Sequence, residues 1–198
     1  MTGFALHRRQ ILKAALADRG DTLFVTGLGS ATWDLASLGD RPENFYLWGA
    51  MGNSVMIGLG IATSRPDRRV VVITGDGEML MGLTALTTIG ARRPGNLAIC
   101  VLDNERYTET GRQPTATGLG TDLAAVAAAC GFPVTATLRT ESEASRLGEL
   151  LLRTPGPVFA VAKVIDEPLP MAVPPRDGGY LKTRFRTALL GEAAATLP

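Results

Sequence analysis

The sequence is short of several things that would each have pointed elsewhere. It has one histidine, His7, and two cysteines in 198 residues. Cys100 falls in an apolar run and Cys130 at the end of an alanine-rich segment, so the pair makes no disulfide framework and reads as reduced core thiols. His7 lies on an amphipathic opening segment and reads as structural or exposed. Net charge is nearly absent: 20 Lys and Arg against 19 Asp and Glu leave +1, too little to attract nucleic acid. Arg92-Arg93 and the Arg184/Arg186 pair read as solvated helix faces. A hydrophobic content of 45% also takes the chain out of the disordered class. No apolar run approaches the ~20 residues of a membrane span, and no signal-peptide core opens the chain. The expectation is a soluble, cytoplasmic protein engaging neither nucleic acid nor membrane. Both Gly-x-Gly-x-x runs, from Gly27 and from Gly58, end in Thr (Thr32 and Thr63) where a dinucleotide fingerprint needs Gly or Ala. The second also follows a helix-like stretch and precedes Arg65-Pro66-Asp67, instead of joining a strand to a helix. A nicotinamide cofactor is therefore not expected.

What the sequence does contain is regular alternation. Helical patterns over residues 6–16, 52–62, 78–90, 122–130, 141–152 and 180–190 alternate with strand-like runs over 23–26, 70–74, 97–102, 134–138 and 158–164. Pro168, Pro170, Pro174 and Pro175 mark an extended connection before the last helix. The pattern predicts an α/β fold, a parallel sheet with helices on both faces, as one domain over residues 1–198.

The most informative stretch opens with Gly75-Asp76-Gly77 and closes with Asp103-Asn104. Before it, Val70 to Thr74 reads as a strand buried on both faces. An acidic residue between glycines at the end of such a strand sits at the carboxyl edge of the sheet, where α/β folds bind ligands. Leu97 to Leu102 is a second buried strand, and Asp103-Asn104 leaves its carboxyl end. One βαβ unit thus predicts the Asp76 carboxylate and the Asn104 amide oxygen as neighbours. Two hard oxygens there suit Mg²⁺ or Ca²⁺, with further ligands from phosphate and water. Taken alone, Gly-Asp-Gly is equally the sequence of a plain turn, and Asp-Asn that of a helix cap. A second motif, Leu47-Trp48-Gly49-Ala50-Met51-Gly52 followed by Gly58-Leu59-Gly60, lies upstream; alone it is also a glycine-rich helix start with Met51 as core filler.

The two motifs together, in this order and separation, resemble the signature of thiamine diphosphate (ThDP) enzymes, here with Asp-Asn in place of the more common Asn-Asn. The resemblance spans roughly residues 4–190. It is nearest to the short β subunits of split 2-oxo-acid decarboxylases of the sulfopyruvate and phosphonopyruvate decarboxylase kind, with weaker support from Thr26-Gly27 and Ser30, from residues 111–115 and from residues 182–185. It implies the ThDP-binding fold, ThDP and Mg²⁺ as cofactors, and Asp76, Asn104 and the carbonyl of Arg106 as metal ligands. It implies cofactor contacts at Thr26, Gly27, Gly49, Met51, Gly75, Asp76, Gly77, Glu78, Asn104, Arg106 and Tyr107. Met51 would wedge the cofactor into its bent form, and Gly49 would admit the pyrimidine closely. The polar loop over residues 105–121 would line the substrate pocket. Arg112 and Gln113 are its substrate candidates, and Arg106 or Arg112 could grip an anionic group, although each is equally a surface arginine. Glu105-Arg106 departs from the small residues, often Gly, usual after the Asn pair.

ThDP enzymes also use a glutamate that hydrogen-bonds the pyrimidine N1′, carried on a separate pyrimidine-binding domain. The expectation is that no residue of this chain fills that role and that a partner α subunit supplies it, in an α₂β₂ assembly or a multiple. Alone, the chain would be inactive on its small 2-oxo acid. Two alternatives stay open: a carboligase subunit of the acetolactate synthase kind, and a non-catalytic interaction protein that keeps the fold.

Overall fold

The computed structural model describes residues 4–191 and 194. Its strands are β1 (Leu23–Thr26), β2 (Asn44–Tyr46), β3 (Val70–Gly75), β4 (Leu97–Asp103), β5 (Arg106–Tyr107), β6 (Gln113–Pro114), β7 (Val134–Leu138) and β8 (Val158–Lys163). The helices are α1 (Arg8–Ala15), α2 (Ser30–Ala36), α3 (Ser54–Ser64), α4 (Asp76–Met81), α5 (Ala85–Arg92), α6 (Leu123–Ala129), α7 (Glu141–Ala144), α8 (Leu147–Leu152) and α9 (Gly178–Leu190). Six strands form one parallel sheet in the order β2-β1-β3-β4-β8-β7, while β5 and β6 pair as a small antiparallel hairpin.

Alternation along each strand divides the core in two. Phe24, Val71, Ile73, Ala98, Cys100, Val158 and Ala160 face one layer with α1, α2 and α8. Leu23, Val25, Val70, Val72, Leu97, Ile99, Phe159 and Val161 face the other, with α3, α5 and α6. The central strands are apolar on both sides because both sides are covered. Right-handed crossovers explain which helix goes where. The steps β2 to β3, β3 to β4 and β4 to β7 run one way across the sheet and put α3, α5 and α6 on one face; the reversed steps, β1 to β2 and β7 to β8, put α2 and α8 on the other. The chain changes direction between β1 and β3, which opens a crevice at their carboxyl ends. At the outer edge α9 packs along β2, with Phe185 against Phe45 at 5.2 Å between ring centroids.

Several elements differ from the sequence reading. The sequence pattern predicts nothing between residues 27 and 52, yet α2 and β2 lie there. A three-residue strand is too short to show alternation, and α2 starts at Gly29 (φ 84°) with no side-chain cap to announce it. The single helix expected over 78–90 is two, α4 and α5. The break follows from a backbone contact: a Cβ on Gly82 would lie 2.1 Å from the Gly52 carbonyl oxygen, so the chain turns where it meets the Met51–Gly52 loop. The helix expected over 141–152 divides into α7 and α8, with a Thr140/Glu143 capping box opening the first. The loop over 105–121 holds the β5–β6 hairpin and two 3₁₀ turns.

Phe159 is fully buried in the middle of β8 and meets Phe132 edge to face at 5.8 Å. Phe159→Ala is expected to cost about 3–5 kcal/mol, because so rigid a site cannot collapse onto the cavity. Chemical denaturation of the two proteins, read as a fall in midpoint at constant slope, checks this.

Candidate active site

Two strand ends build the site. The β3–β4 pairing runs from Val70 opposite Leu97 to Gly75 opposite Leu102, so Asp76 and Asn104 leave adjacent strands at the same edge. Asp76 is the first residue of α4 and is only 2% exposed. The Thr115 hydroxyl donates to its Oδ2 at 2.6 Å, and the Thr117 hydroxyl lies 3.3 Å from the same oxygen and 2.8 Å from Asp103 Oδ1. Asp103 in turn meets Lys163 at 2.7 Å, and Lys163 also reaches Glu105 at 2.9 Å. Burial and then the nearby charge of Asp103 push the Asp76 carboxyl up to about 6, against the pull of Thr115. Burial alone would lower the Lys163 ammonium, but its bonds to Asp103 and Glu105 outweigh that and raise it. Burial likewise raises Glu78, against the bonds from Ser54 and Thr74.

The loop after Asn104 is shaped by that residue. Its Oδ1 accepts from the Arg106 amide at 3.0 Å and its amide nitrogen donates to Thr108 Oγ1 at 2.9 Å. The Glu105 and Tyr107 carbonyls accept from Thr115 and Arg112 of the returning arm at 3.0 and 2.9 Å. The Arg106 carbonyl alternates to the other side of the extended pair. Glu105 has a left-handed backbone, φ 61°, as does Ala50 at 52° beside Met51. For a residue with a Cβ each conformation costs about 1–2 kcal/mol. A glycine would adopt this conformation without that cost; here the Lys163 contact holds Glu105 in it.

Eight of the expected residues, Met51, Gly75, Asp76, Gly77, Glu78, Asn104, Arg106 and Tyr107, line one cleft together with residues 28–31 and 108–110. Met51 is 38% exposed, so it is not core filler. Tyr107 packs against Gly77, where a Cβ would come within 2.6 Å of its ring. Thr26, Gly27 and Gly49 stand just outside the lining. Thr26 is buried and its hydroxyl bonds Thr32 at 2.7 Å. Gly27 lies against the Glu78 carboxylate, with no room for a Cβ, whereas beside Gly49 there is open space. The expectation for Arg112 and Gln113 is not supported by their placement: neither lines the cleft. Arg112 is held outside it by Asp166 at 2.6 Å, and the Gln113 side chain turns back to the Thr110 carbonyl at 3.3 Å.

Comparison with known proteins bears on what such a cleft holds. Residues 27–162 match the family described as thiamine pyrophosphate enzyme, C-terminal TPP binding domain. The chain belongs to this family. It is 44% identical over 140 residues to the sulfopyruvate decarboxylase subunit beta of Methanothermobacter thermautotrophicus, covering 71% of this chain and 72% of that one. It is 42% identical over 139 residues to the phosphonopyruvate decarboxylase of Streptomyces viridochromogenes, covering 70% of this chain but 34% of that longer relative. A solved structure, the thiamine diphosphate-dependent 4-hydroxybenzoylformate decarboxylase of Rhodococcus jostii RHA1, has the same fold at a TM-score of 0.66 and 20% identity, over 84% of this chain and 34% of that one.

The donor chemistry of the cleft fits a metal-bound thiamine pyrophosphate. The Asp76 carboxylate, the Asn104 Oδ1 and the Arg106 carbonyl are hard oxygens of the kind Mg²⁺ takes. Among the described residues no group of three His, Cys, Asp or Glu side chains could hold a metal by itself, so phosphate or water oxygens would complete the shell. Three features of the site escaped the sequence reading: Asp103 with its Lys163 counter-charge and the Thr115/Thr117 pair on Asp76, both outside the lining, and Arg8, which reaches the lining from α1. Asp-Asn in place of Asn-Asn was the one available signal, since an extra carboxylate at a buried strand end requires a cation nearby. Among the described residues no helix is long and apolar enough to cross a membrane.

A metal ligand must be deprotonated, and Asp76 sits at about 6. Affinity for Mg²⁺ with thiamine pyrophosphate should therefore hold above pH 7 and fall roughly tenfold for each unit below 6. The apo chain should behave oppositely. A raised carboxyl contributes stability that is complete below its unfolded value of 3.8 and lost as pH rises through about 6. Calorimetric titrations and melting curves between pH 5 and 8 test both signs.

Proposed function

We propose that this chain, as one domain over residues 1–198, is the diphosphate-binding subunit of a split ThDP- and Mg²⁺-dependent 2-oxo-acid decarboxylase. Its substrate would be short and anionic, of the sulfopyruvate or phosphonopyruvate kind. The observation that carries this reading is the delivery of Asp76 and Asn104 to one sheet edge beside a cleft walled by Met51. The relatives named above, one a beta subunit, support the choice of reaction and of a partner chain.

When bound, ThDP supplies the carbanion chemistry that decarboxylates a 2-oxo acid. The residues of this chain bind and orient. Asp76, Asn104 and the Arg106 carbonyl hold the metal, and Thr115 keeps the Asp76 carboxylate aimed at the edge. Gly75, with open space beside it, would let the diphosphate approach the backbone closely, Tyr107 over Gly77 would wall that approach, and Met51 would support the rings. Thr26 and Gly27, at the end of β1, back the cleft from just outside it, Gly27 by making room for the Glu78 carboxylate. The Glu78 carboxylate is buried against Gly27 and receives the Thr74 hydroxyl, and Glu109 lies exposed beside Gly29. The acid that hydrogen-bonds the pyrimidine N1′ is accordingly assigned to a pyrimidine-binding partner, with an α₂β₂ assembly as the simplest closed arrangement.

Asp76→Ala should abolish ThDP retention in the assembled complex while leaving the melting curve of the chain near wild type; unchanged calorimetric affinity would sink the metal assignment. Met51→Ala should keep ThDP affinity but lower turnover on the order of a hundredfold, the effect of about 1 Å of misplacement; full turnover would reduce Met51 to packing. The reading as a whole is tested by incubating purified chain with ThDP, Mg²⁺ and a panel of 2-oxo acids, with and without the partner. CO₂ should appear only with the partner, and analysis of the products separates decarboxylation from ligation. Substantial release by the chain alone would overturn the split assignment.

A further inference from the structure

The cleft has a buried cation that neither the metal motif nor the wedge motif accounts for. Arg8 opens α1, and its side chain is 8% exposed. Its Nε donates to Asp34 Oδ2 at 2.6 Å and its Nη1 to the Glu167 carbonyl at 2.7 Å. Asp34 is shared, because Arg9 Nε donates to its other oxygen at 2.7 Å, and the Glu167 carboxylate bonds to His7 instead. A guanidinium has five N–H donors, and the bonds above employ one from Nε and one from Nη1. None of the bonds formed by the described residues uses Nη2. Arg8 nevertheless lines the cleft that contains Asp76 and Asn104, together with Ala31, Leu102 and Val164. The only other cation in that lining, Arg106, is exposed, while the acidic groups there are Asp76, Glu78 and Glu109.

Position narrows the choice of ligand. Ala31, Leu102 and Val164 belong to the core layer that carries α1 and α2, whereas Val55 and Leu59 of the helix following Met51 belong to the opposite layer. Arg8 and Met51 therefore approach the cleft from opposite faces of the sheet, with the metal-ligand pair at the edge between them. A group whose rings rest on Met51 and whose diphosphate reaches the metal would extend its far end toward Arg8. A guanidinium pinned by a buried carboxylate and a carbonyl loses little freedom on binding a further oxyanion, and its planar edge matches phosphate geometry. We propose that Arg8 is a phosphate-binding residue of this site, presenting its free Nη2 edge to the terminal phosphate of ThDP. This rests on the reading that the cleft holds ThDP with its metal at Asp76 and Asn104.

The test is binding, measured on the chain assembled with its partner at saturating Mg²⁺ by calorimetric titration of ThDP and of thiamine monophosphate, which lacks the terminal phosphate. Arg8→Lys and Arg8→Gln should weaken ThDP roughly tenfold to a hundredfold, the worth of a charge-assisted hydrogen bond, and thiamine monophosphate less than about twofold. Because loss of Arg8 leaves Asp34 with a single partner, the double variant Arg8→Met/Asp34→Leu removes the buried pair as a unit. It should melt near wild type and show the same selective loss. Unchanged preference for ThDP in every variant, or equal losses for both ligands, would reduce Arg8 to a structural ion pair. Retained ThDP affinity with weakened binding of a sulfonated or phosphonated 2-oxo acid would overturn the assignment in favour of the substrate's anion. Failure of the wild-type complex to bind ThDP at all would instead overturn the cofactor reading beneath it, and this proposal with it.

Discussion

The parallel register of β3 against β4, with Gly75 opposite Leu102, decides where every other group in the cleft stands. Each strand ends at the same edge, so a carboxylate and an amide oxygen distant in sequence become neighbours without any long side chain having to reach. A shift of one residue would exchange the two apolar faces of β3 and carry Asp76 about 3.3 Å along the strand. Both faces of β3 are fully buried from Val70 to Ile73, which makes such a shift costly. The core thus does for the site what a disulfide or a structural metal does in a smaller protein: it holds two ligand-bearing ends at a set spacing.

Bringing acids together at a buried edge creates an electrostatic problem that the structure answers locally. Asp76 and Asp103 face each other across Thr117, and burial makes their mutual repulsion strong. Lys163, at the end of the next strand, neutralises Asp103 and at the same time anchors Glu105 in its left-handed conformation. Asp76 has no cation of its own within ion-pair distance among the described residues, only hydroxyls. A carboxylate in that state favours either a proton or a metal, which is the chemistry a metal-dependent site needs from it.

On the opposite face the same economy of position holds. The Met51 loop rests directly on the end of α4 through the Gly52–Gly82 backbone contact, so the wedge residue and the metal ligand are mechanically joined. Glu78, one turn into α4, fills the space left by the missing side chain of Gly27 and receives the Thr74 hydroxyl at 3.0 Å. Three glycine-bearing loops that look like separate motifs in the chain are parts of one packed unit.

The sequence by itself determined the layer architecture, because apolar runs buried on both faces permit only a covered parallel sheet, and it determined the Asp76 and Asn104 pair, because strand ends in a βαβ unit share an edge. Met51, by contrast, the sequence left as either core filler or cofactor wedge, and only its 38% exposure in the cleft told the two apart. Tertiary structure alone decided the rest. Arg8 lies 68 positions before Asp76 (76 less 8) in an ordinary amphipathic helix, and only the docking of α1 against α2 turns its guanidinium into the cleft. Lys163 reads as the polar end of a strand until β8 inserts between β4 and β7 and brings it to Asp103. Arg112 looks like an anion binder until Asp166 claims it. Local periodicity records which face of an element is buried, but not which distant side chain arrives to meet a charge; that depends on strand order, which is set only when the whole sheet closes.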